Sequence, residues 1–184
     1  MTADEFFRWQ PQDGRSYELR NGVPVAMATP KPGHQILAGR LARFLDEALD
    51  DRPPCTLRIE APIAVPDRDD MIHQADLAVT CAEHQSGQKS TPEPLIVVEI
   101  LSPSTEKYDR RVKLGDYRSI PSVQEVVLIA QDQVYCEVHR RVDGERWQTD
   151  LLRLDEARLR LQSIGFDQPL EKIYRRIAIP KDSV

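Results

Sequence analysis

The stretch Leu95-Ile96-Val97-Val98-Glu99-Ile100-Leu101 sets one carboxylate among six large aliphatic side chains. A run of this length, rich in β-branched residues and without polar alternation, reads as a strand buried on both faces. A carboxylate there loses its hydration, at a cost on the order of several kcal/mol unless a cation, a proton or hydrogen-bond donors compensate. Whatever meets Glu99 decides whether the chain is an enzyme.

Working outward, the strand ends in Ser102-Pro103-Ser104-Thr105, an N-cap signal for a helix over roughly 105–119. Upstream, residues 83–94 read as a polar loop and residues 74–81 as a strand carrying Asp76. Residues 55–65 read as a strand pair or one bent strand interrupted by Pro62, and 66–71 as a charged turn. Apolar positions from Ile36 to Leu49 recur at helical spacing and predict an amphipathic helix over roughly 34–49. Before it, Asn21-Gly22 between two short strands is a type I′ hairpin signal. Thr2-x-x-Glu5 is a capping box for a first helix ending near Pro11. Downstream come a strand at 123–130, a hairpin of 133–141 and 146–154 around Asp143-Gly144, a strand at 158–163 and a short helix at 168–175. The pattern, with no repeat or linker, predicts one α/β (α+β) domain over residues 1–184, built on a mixed sheet with additional β-hairpins.

The bulk composition bounds the function. At 184 residues, 40% hydrophobic and 30% charged, the chain is long enough for a real core. A net charge of −5 argues against a constitutive nucleic-acid coat protein, whose domains run basic, but leaves room for an acidic, metal-dependent nuclease. Cys55, Cys81 and Cys136 are odd in number, far apart and without metal-ligand spacing, which favours a reduced, cytoplasmic setting over a disulfide framework. The N-terminus has no signal-peptide pattern, and no apolar run is long enough to span a membrane.

Three residues on consecutive elements form a chemical constellation: Asp76 and Glu99 on strands, and Lys113 on the helix that follows. Two carboxylates on adjacent strands can share Mg²⁺, which takes oxygen ligands and keeps waters for a substrate. A lysine beside them can polarise the attacking water and stabilise charge developing on a phosphate. Asp109, Lys113 and Tyr117 are spaced i, i+4, i+8 and share one helix face. Lys107 lies about 120° round the helix and cannot share the direction of Lys113.

The run Val98-Glu99-Ile100-Leu101-Ser102-Pro103-Ser104-Thr105, followed by Asp109, Lys113 and Tyr117, resembles the Uma family of restriction-endonuclease-like proteins, placed in the PD-(D/E)XK nuclease superfamily. Tyr17-Glu18-Leu19-x-Asn21-Gly22, His34 and Asp76-Leu77 also fit the family pattern, and the resemblance covers roughly residues 15–175. It implies a restriction-endonuclease-like core and hydrolysis of DNA. It further implies Mg²⁺ or Mn²⁺ held by Asp76 and Glu99, Lys113 as a catalytic lysine displaced onto the helix, and Glu18 as an auxiliary acid. Ala75 stands where the family usually has proline, and Leu101 stands at the superfamily's lysine position. Activity therefore depends on Lys113 reaching the site from the helix.

Plainer readings stand beside these. Glu99 can be one half of a buried ion pair, Asp76 can end a ladder, and Lys113 or Glu18 can be solvated. His34 can serve local packing, while His73, His84 and His139 read as surface residues. Asp67, Asp69 and Asp70 read as a solvated turn, Ser102 and Ser104 as helix caps, and Lys107, Arg110 and Arg111 as either a phosphate patch or a solvated face. The rival to a nuclease is an idle domain that binds nucleic acid or a protein partner. A homodimer is compatible with either, because two sites are needed to cut both strands in one encounter, and the hairpins at 133–154 offer edges for it.

Overall fold

The structure, a computed structural model, describes residues 1–9, 11–153 and 157–179. The chain opens with helix α1 (Ala3–Arg8), the hairpin β1 (Tyr17–Arg20) and β2 (Val23–Ala26), and helix α2 (Pro32–Leu49). Strands β3 (Thr56–Ala64), β4 (Ile72–Thr80) and β5 (Pro94–Leu101) follow. A helix of three consecutive segments comes next: α3 (Glu106–Tyr108), a π-helical turn (Asp109–Lys113) and α4 (Leu114–Ser119). The chain continues through β6 (Glu125–Ala130), the hairpin β7 (Cys136–Asp143) and β8 (Arg146–Leu152), the hairpin β9 (Arg158–Leu161) and β10 (Phe166–Pro169), and helix α5 (Leu170–Tyr174).

Among the described residues, eight strands form the central sheet in the order β2-β1-β4-β5-β6-β7-β8, with β3 paired to β4. Only β5–β6 is parallel, as expected of strands joined through a helix. Helix α2 packs Leu37, Leu41 and Leu45 on one face against Leu77, Ile96, Val98 and Ile129. Tyr117, Ile120 and Val123 cover the other face against Val97, Val126 and Leu128. The sheet is thus buried on both sides, which is why β5 reads as an unbroken apolar run.

Local signals account for the element ends. Thr2 and Glu5 form the capping box of α1. Asn21 and Gly22, with φ of 48° and 74°, make the tight turn between β1 and β2. Residues 55–65 give one strand, in which Pro62 is accommodated opposite Gln74.

Several expectations change. The strand expected at 158–163 forms as β9, while β10 takes the first residues of the helix expected over 168–175, and the two pair as a separate two-stranded sheet. Glu125, fully buried, staples it to the core by accepting from the Gln162 and Ser163 amides and from Arg140. Cys55 and Cys81 are joined in a disulfide, contrary to the reading of unpaired thiols. The β3–β4 ladder pairs Thr56 with Thr80, so its next step sets the two cysteines opposite each other; Cys136 remains free and buried. His73 and His139 lie inside the protein rather than on its surface, paired with Asp116 and Glu137 respectively. Residue 154, the expected end of the last hairpin arm, and residues 180–184 of the expected domain lie outside the described residues.

Candidate active site

The β4–β5 ladder carries its last pair at Leu77↔Val98. One step further, the same register sets Asp76 opposite Glu99, but here the strands part. In place of a ladder bond, the Ile100 amide donates to Asp76 Oδ2 at 2.6 Å. Strand β1 meets β4 beyond the opening, at Leu19↔Ile72. It brings Glu18 to the same place, where Glu18 Oε1 accepts from the Gln74 amide at 3.1 Å.

Helix geometry supplies the rest. The π-helical turn buries both Asp109 and Lys113 against the sheet, and Tyr117 follows one turn on. Such turns insert one extra residue per turn and recur at functional sites. Lys113 Nζ lies 2.5 Å from Glu18 Oε1, 3.1 Å from Glu99 Oε1 and 3.1 Å from the Gln74 carbonyl, with Asp109 Oδ1 at 3.8 Å. These three close acceptors match the three N–H groups of an ammonium. The Tyr117 hydroxyl donates to Glu99 Oε1 at 2.5 Å. His34, in the first turn of α2, places Nε2 3.1 Å from Asp76 Oδ1. All seven candidates, Glu18, His34, Asp76, Glu99, Asp109, Lys113 and Tyr117, therefore converge on one place.

Sequence reading passed over two contributors. Arg20 donates to Glu18 Oε2 at 2.7 and 2.9 Å, and Gln74 uses its backbone on both Glu18 and Lys113. Both were findable by the two-residue period of a strand, since Arg20 is two places from Glu18 and Gln74 two from Asp76.

The electrostatics are lopsided. Four carboxylates (Glu18, Asp76, Glu99 and Asp109) face two cations (Arg20 and Lys113). Burial pushes the Glu99 carboxyl up to about 8; Lys113 pulls it down, while Asp76 and Asp109 add to the push. Burial likewise raises Asp109, against the pull of Lys113. Glu18 goes the other way: burial works against its charge, but Lys113 and Arg20 hold it below the ordinary carboxylate range. For Lys113, burial disfavours the charge, yet Glu99, Glu18 and Asp109 together raise its affinity for the proton. It is therefore a fixed cation, not a base.

The cluster opens into a cavity of about 910 Å³ between the β1–β2 hairpin, α2 and the parted strands. Ser102 and Ser104 line it too. Their hydroxyls bond each other and Thr105 rather than capping helix amides, which corrects the capping expectation. The other flagged groups stand apart from it. Asp70 pairs with Arg68, and the carbonyls of Asp69 and Asp70 take the Ala3 and Gly22 amides, which makes the acidic turn a structural clamp. Arg110 is committed to Glu106 and Glu137, leaving Lys107 and Arg111 as the exposed charges of that face. His84 is exposed beside Arg58.

The profile of the Uma2 family, described as "Putative restriction endonuclease", matches residues 3–170. The chain belongs to this family. Two relatives from Synechocystis sp. (strain ATCC 27184 / PCC 6803 / Kazusa) are similar along most of their length. The uncharacterized protein slr1290 is 28% identical over 97% of this chain and 93% of its own, and the uncharacterized protein sll1609 is 25% identical over 80% and 84%. The crystal structure of "a putative nuclease belonging to DUF820" from Anabaena variabilis ATCC 29413 superposes with a TM-score of 0.77 at 15% identity, covering 97% of this chain and 99% of that one. The nuclease-like fold of the Uma2 chain is shared with that structure. No described helix is long and apolar enough to cross a membrane.

Proposed function

We propose that this Uma2 protein is a divalent-metal-dependent endonuclease that hydrolyses phosphodiester bonds in DNA. The observation that carries the reading is the surplus of carboxylates over cations on the floor of a cavity, with Glu99 held in the run that should have rejected it. Charge repulsion among Glu99, Asp76 and Asp109 is the kind a divalent cation relieves. The donor set suits Mg²⁺ or Mn²⁺. Asp76 and Glu99 offer oxygen alone, and no trio of His, Cys, Asp and Glu closes on a common point among the described residues. Mg²⁺ is commonly held by one or two carboxylates, with waters and substrate phosphate completing its shell, whereas a structural zinc site takes four protein ligands.

Asp76 and Glu99 would hold the ion, which when bound supplies Lewis-acid polarisation of a phosphate oxygen and an acidified water. The chain's own groups do the positioning. His34 and the Ile100 amide fix the two oxygens of Asp76, and Tyr117 and Lys113 fix Glu99. The Lys113 charge, locked by three acceptors, stands ready for negative charge developing on the phosphate. Attack of water at phosphorus breaks one P–O ester bond, leaving a phosphate monoester and a hydroxyl whose proton comes from solvent.

The test is cleavage of plasmid and single-stranded DNA with and without Mg²⁺ or Mn²⁺. Wild type should cut, and Glu99→Ala and Lys113→Ala should lose at least about a hundredfold in rate. Silence of the wild type in every metal, or equal cutting by the variants, overturns the reading.

One observation favours a second reading. Lys113 already makes three close contacts, one of them to Glu99, so the lysine itself can serve as the counter-ion of an idle, ligand-binding domain. Calorimetry separates the two: absence of any Mg²⁺ or Mn²⁺ affinity supports the idle domain. For either reading, a homodimer built on the β7–β8 edge, where Val142 and Leu151 are exposed, is checked by sedimentation.

A further inference from the structure

We infer that the cavity above the acidic floor is built to receive an unpaired nucleotide, so that the substrate is single-stranded or locally unpaired nucleic acid rather than intact duplex. The inference rests on the nuclease reading and narrows its substrate.

Depth is the first argument. Side chains of Glu99 and Lys113 are each 4% exposed and Asp76 is 16% exposed. They lie at the bottom of a recess roofed by β2 and by residues 28–31, which lead into α2. At about 910 Å³ the recess is of the size that encloses a compact ligand, in the range of roughly 300–1,000 Å³. A duplex offers a stiff, convex backbone with its bases stacked inside. To bring a phosphate to the bottom of a recess, the strand must leave the duplex, as it does when enzymes extrude a nucleotide.

The second argument is the chemistry of the walls. The floor is charged, and the walls carry an apolar strip, with Val25 and Met27 from the hairpin side and Ala38 and Ala42 from α2, beside polar groups such as Arg15, Lys31, Gln35 and Gln131. Phosphates and sugars, all that a closed duplex presents outside its grooves, find use for the cationic groups but gain nothing from the apolar strip. An unstacked base does, because it buries its faces against that strip.

Gly39 is the third. It lies between Ala38 and Ala42 on the stripe of α2 that faces the cavity, and a Cβ built there meets no atom within 4 Å. A glycine inside an 18-residue helix costs about 0.5–1 kcal/mol relative to alanine, and no close backbone approach calls for it here. What its missing side chain leaves is open volume beside the apolar wall.

The experiment is fluorescence anisotropy with a labelled oligonucleotide, single-stranded or annealed to its complement. Ca²⁺ replaces Mg²⁺, since it takes the same oxygen donors. Wild type should bind the single strand at least about tenfold more tightly than the duplex. Gly39→Leu and Ala38→Leu, which fill the recess, should lose that preference while melting no earlier than wild type. Equal or stronger binding of duplex by wild type, or an undiminished preference in both filled variants, overturns the inference. Should a variant melt early, the wild-type comparison alone decides. Preference for single strands without cleavage in any metal sinks the hydrolase reading and leaves this one standing. Cleavage of intact duplex as fast as single strand does the reverse.

Discussion

Lys113 Nζ lies 3.1 Å from Glu99 Oε1, and this contact joins the helix that directly follows the apolar strand to the carboxylate inside it. Both groups are almost fully buried, so neither can fall back on water if the other is removed. Lys113→Ala should therefore destabilise the metal-free fold by about 3–5 kcal/mol, the cost of leaving buried carboxylates without their cation. Lys113→Met combined with Glu99→Gln should cost less than the two changes added together, because each removes the other's stranded charge. Urea denaturation of wild type, Lys113→Ala, Lys113→Met, Glu99→Gln and the double variant measures both numbers; strict additivity would show that the pair does not act as one unit.

Tyr117→Phe isolates a single bond. The ring stays packed against the sheet, while Glu99 Oε1 loses a charge-assisted donor at 2.5 Å. A loss of about 1.5–3 kcal/mol is expected from such a bond. With less to hold its ionised form, Glu99 should also take up its proton at higher pH. Thermal melts and a titration of the metal-free protein followed by carboxyl NMR shifts check both consequences.

His34→Ala tests the grip on Asp76. The imidazole lies on Asp76 Oδ1, while Oδ2 is already taken by the Ile100 amide. Partners of this sort typically carry about 10–100-fold in metal affinity. The Mg²⁺ concentration for half-maximal cleavage should rise by that factor while the melting temperature moves little, since His34 sits in the first turn of α2 and outside the buried core. An unchanged Mg²⁺ requirement would remove His34 from the site.

Much of this was legible from sequence for identifiable reasons. The hairpin at Asn21-Gly22 rests on a local backbone demand, and β5 on burial on both faces, so neither needs distant partners. Asp109, Lys113 and Tyr117 share a face by helical period alone. Features that failed to show depend on pairing between distant segments. The Cys55–Cys81 bond follows from the β3–β4 register, which no property of the two cysteines announces. His73 and His139 look polar in their strands, yet both lie inside, where Asp116 from helix α4 meets His73 Nε2 and the neighbouring strands β6 and β8 cover His139. Glu18 sits in a polar alternation that suits a solvated strand. It is buried because Lys113 and Arg20, one of them far along the chain, compensate its charge.

Reduction of the Cys55–Cys81 bond should lower stability but leave the site intact. The bond spans a sequence separation of 26 residues, for which chain entropy gives about 3.5 kcal/mol, or about 7–14 °C in melting temperature for a domain this size. The long β3–β4 ladder should hold without it, and Asp76 lies further along β4, beyond the ladder's first four pairs. Cys55→Ser with Cys81→Ser should melt earlier while cutting at the wild-type rate per folded molecule. A loss of cleavage at temperatures where the variant is fully folded would tie the bond to the site itself.

Stability and metal binding should be coupled through Glu99. Burial raises its carboxyl from the ordinary 4.5 to about 8 in the metal-free fold. A group raised in this way stabilises the fold fully below its unfolded value and loses that contribution as pH climbs through the folded value. Metal-free protein should therefore lose stability between about pH 4.5 and pH 8 through this group, and Glu99→Gln should flatten that part of the profile. Glu18, lowered by Lys113 and Arg20, works in the opposite sense, its contribution being lost only as the pH falls toward acid. Added Mg²⁺ competes with the proton on Glu99, so its stabilising effect should be small near pH 5 and grow toward pH 8. Melting curves at several pH values, with Mg²⁺ and with EDTA, measure the difference directly. An effect of Mg²⁺ that is the same at pH 5 and pH 8 would mean that the ion does not meet Glu99.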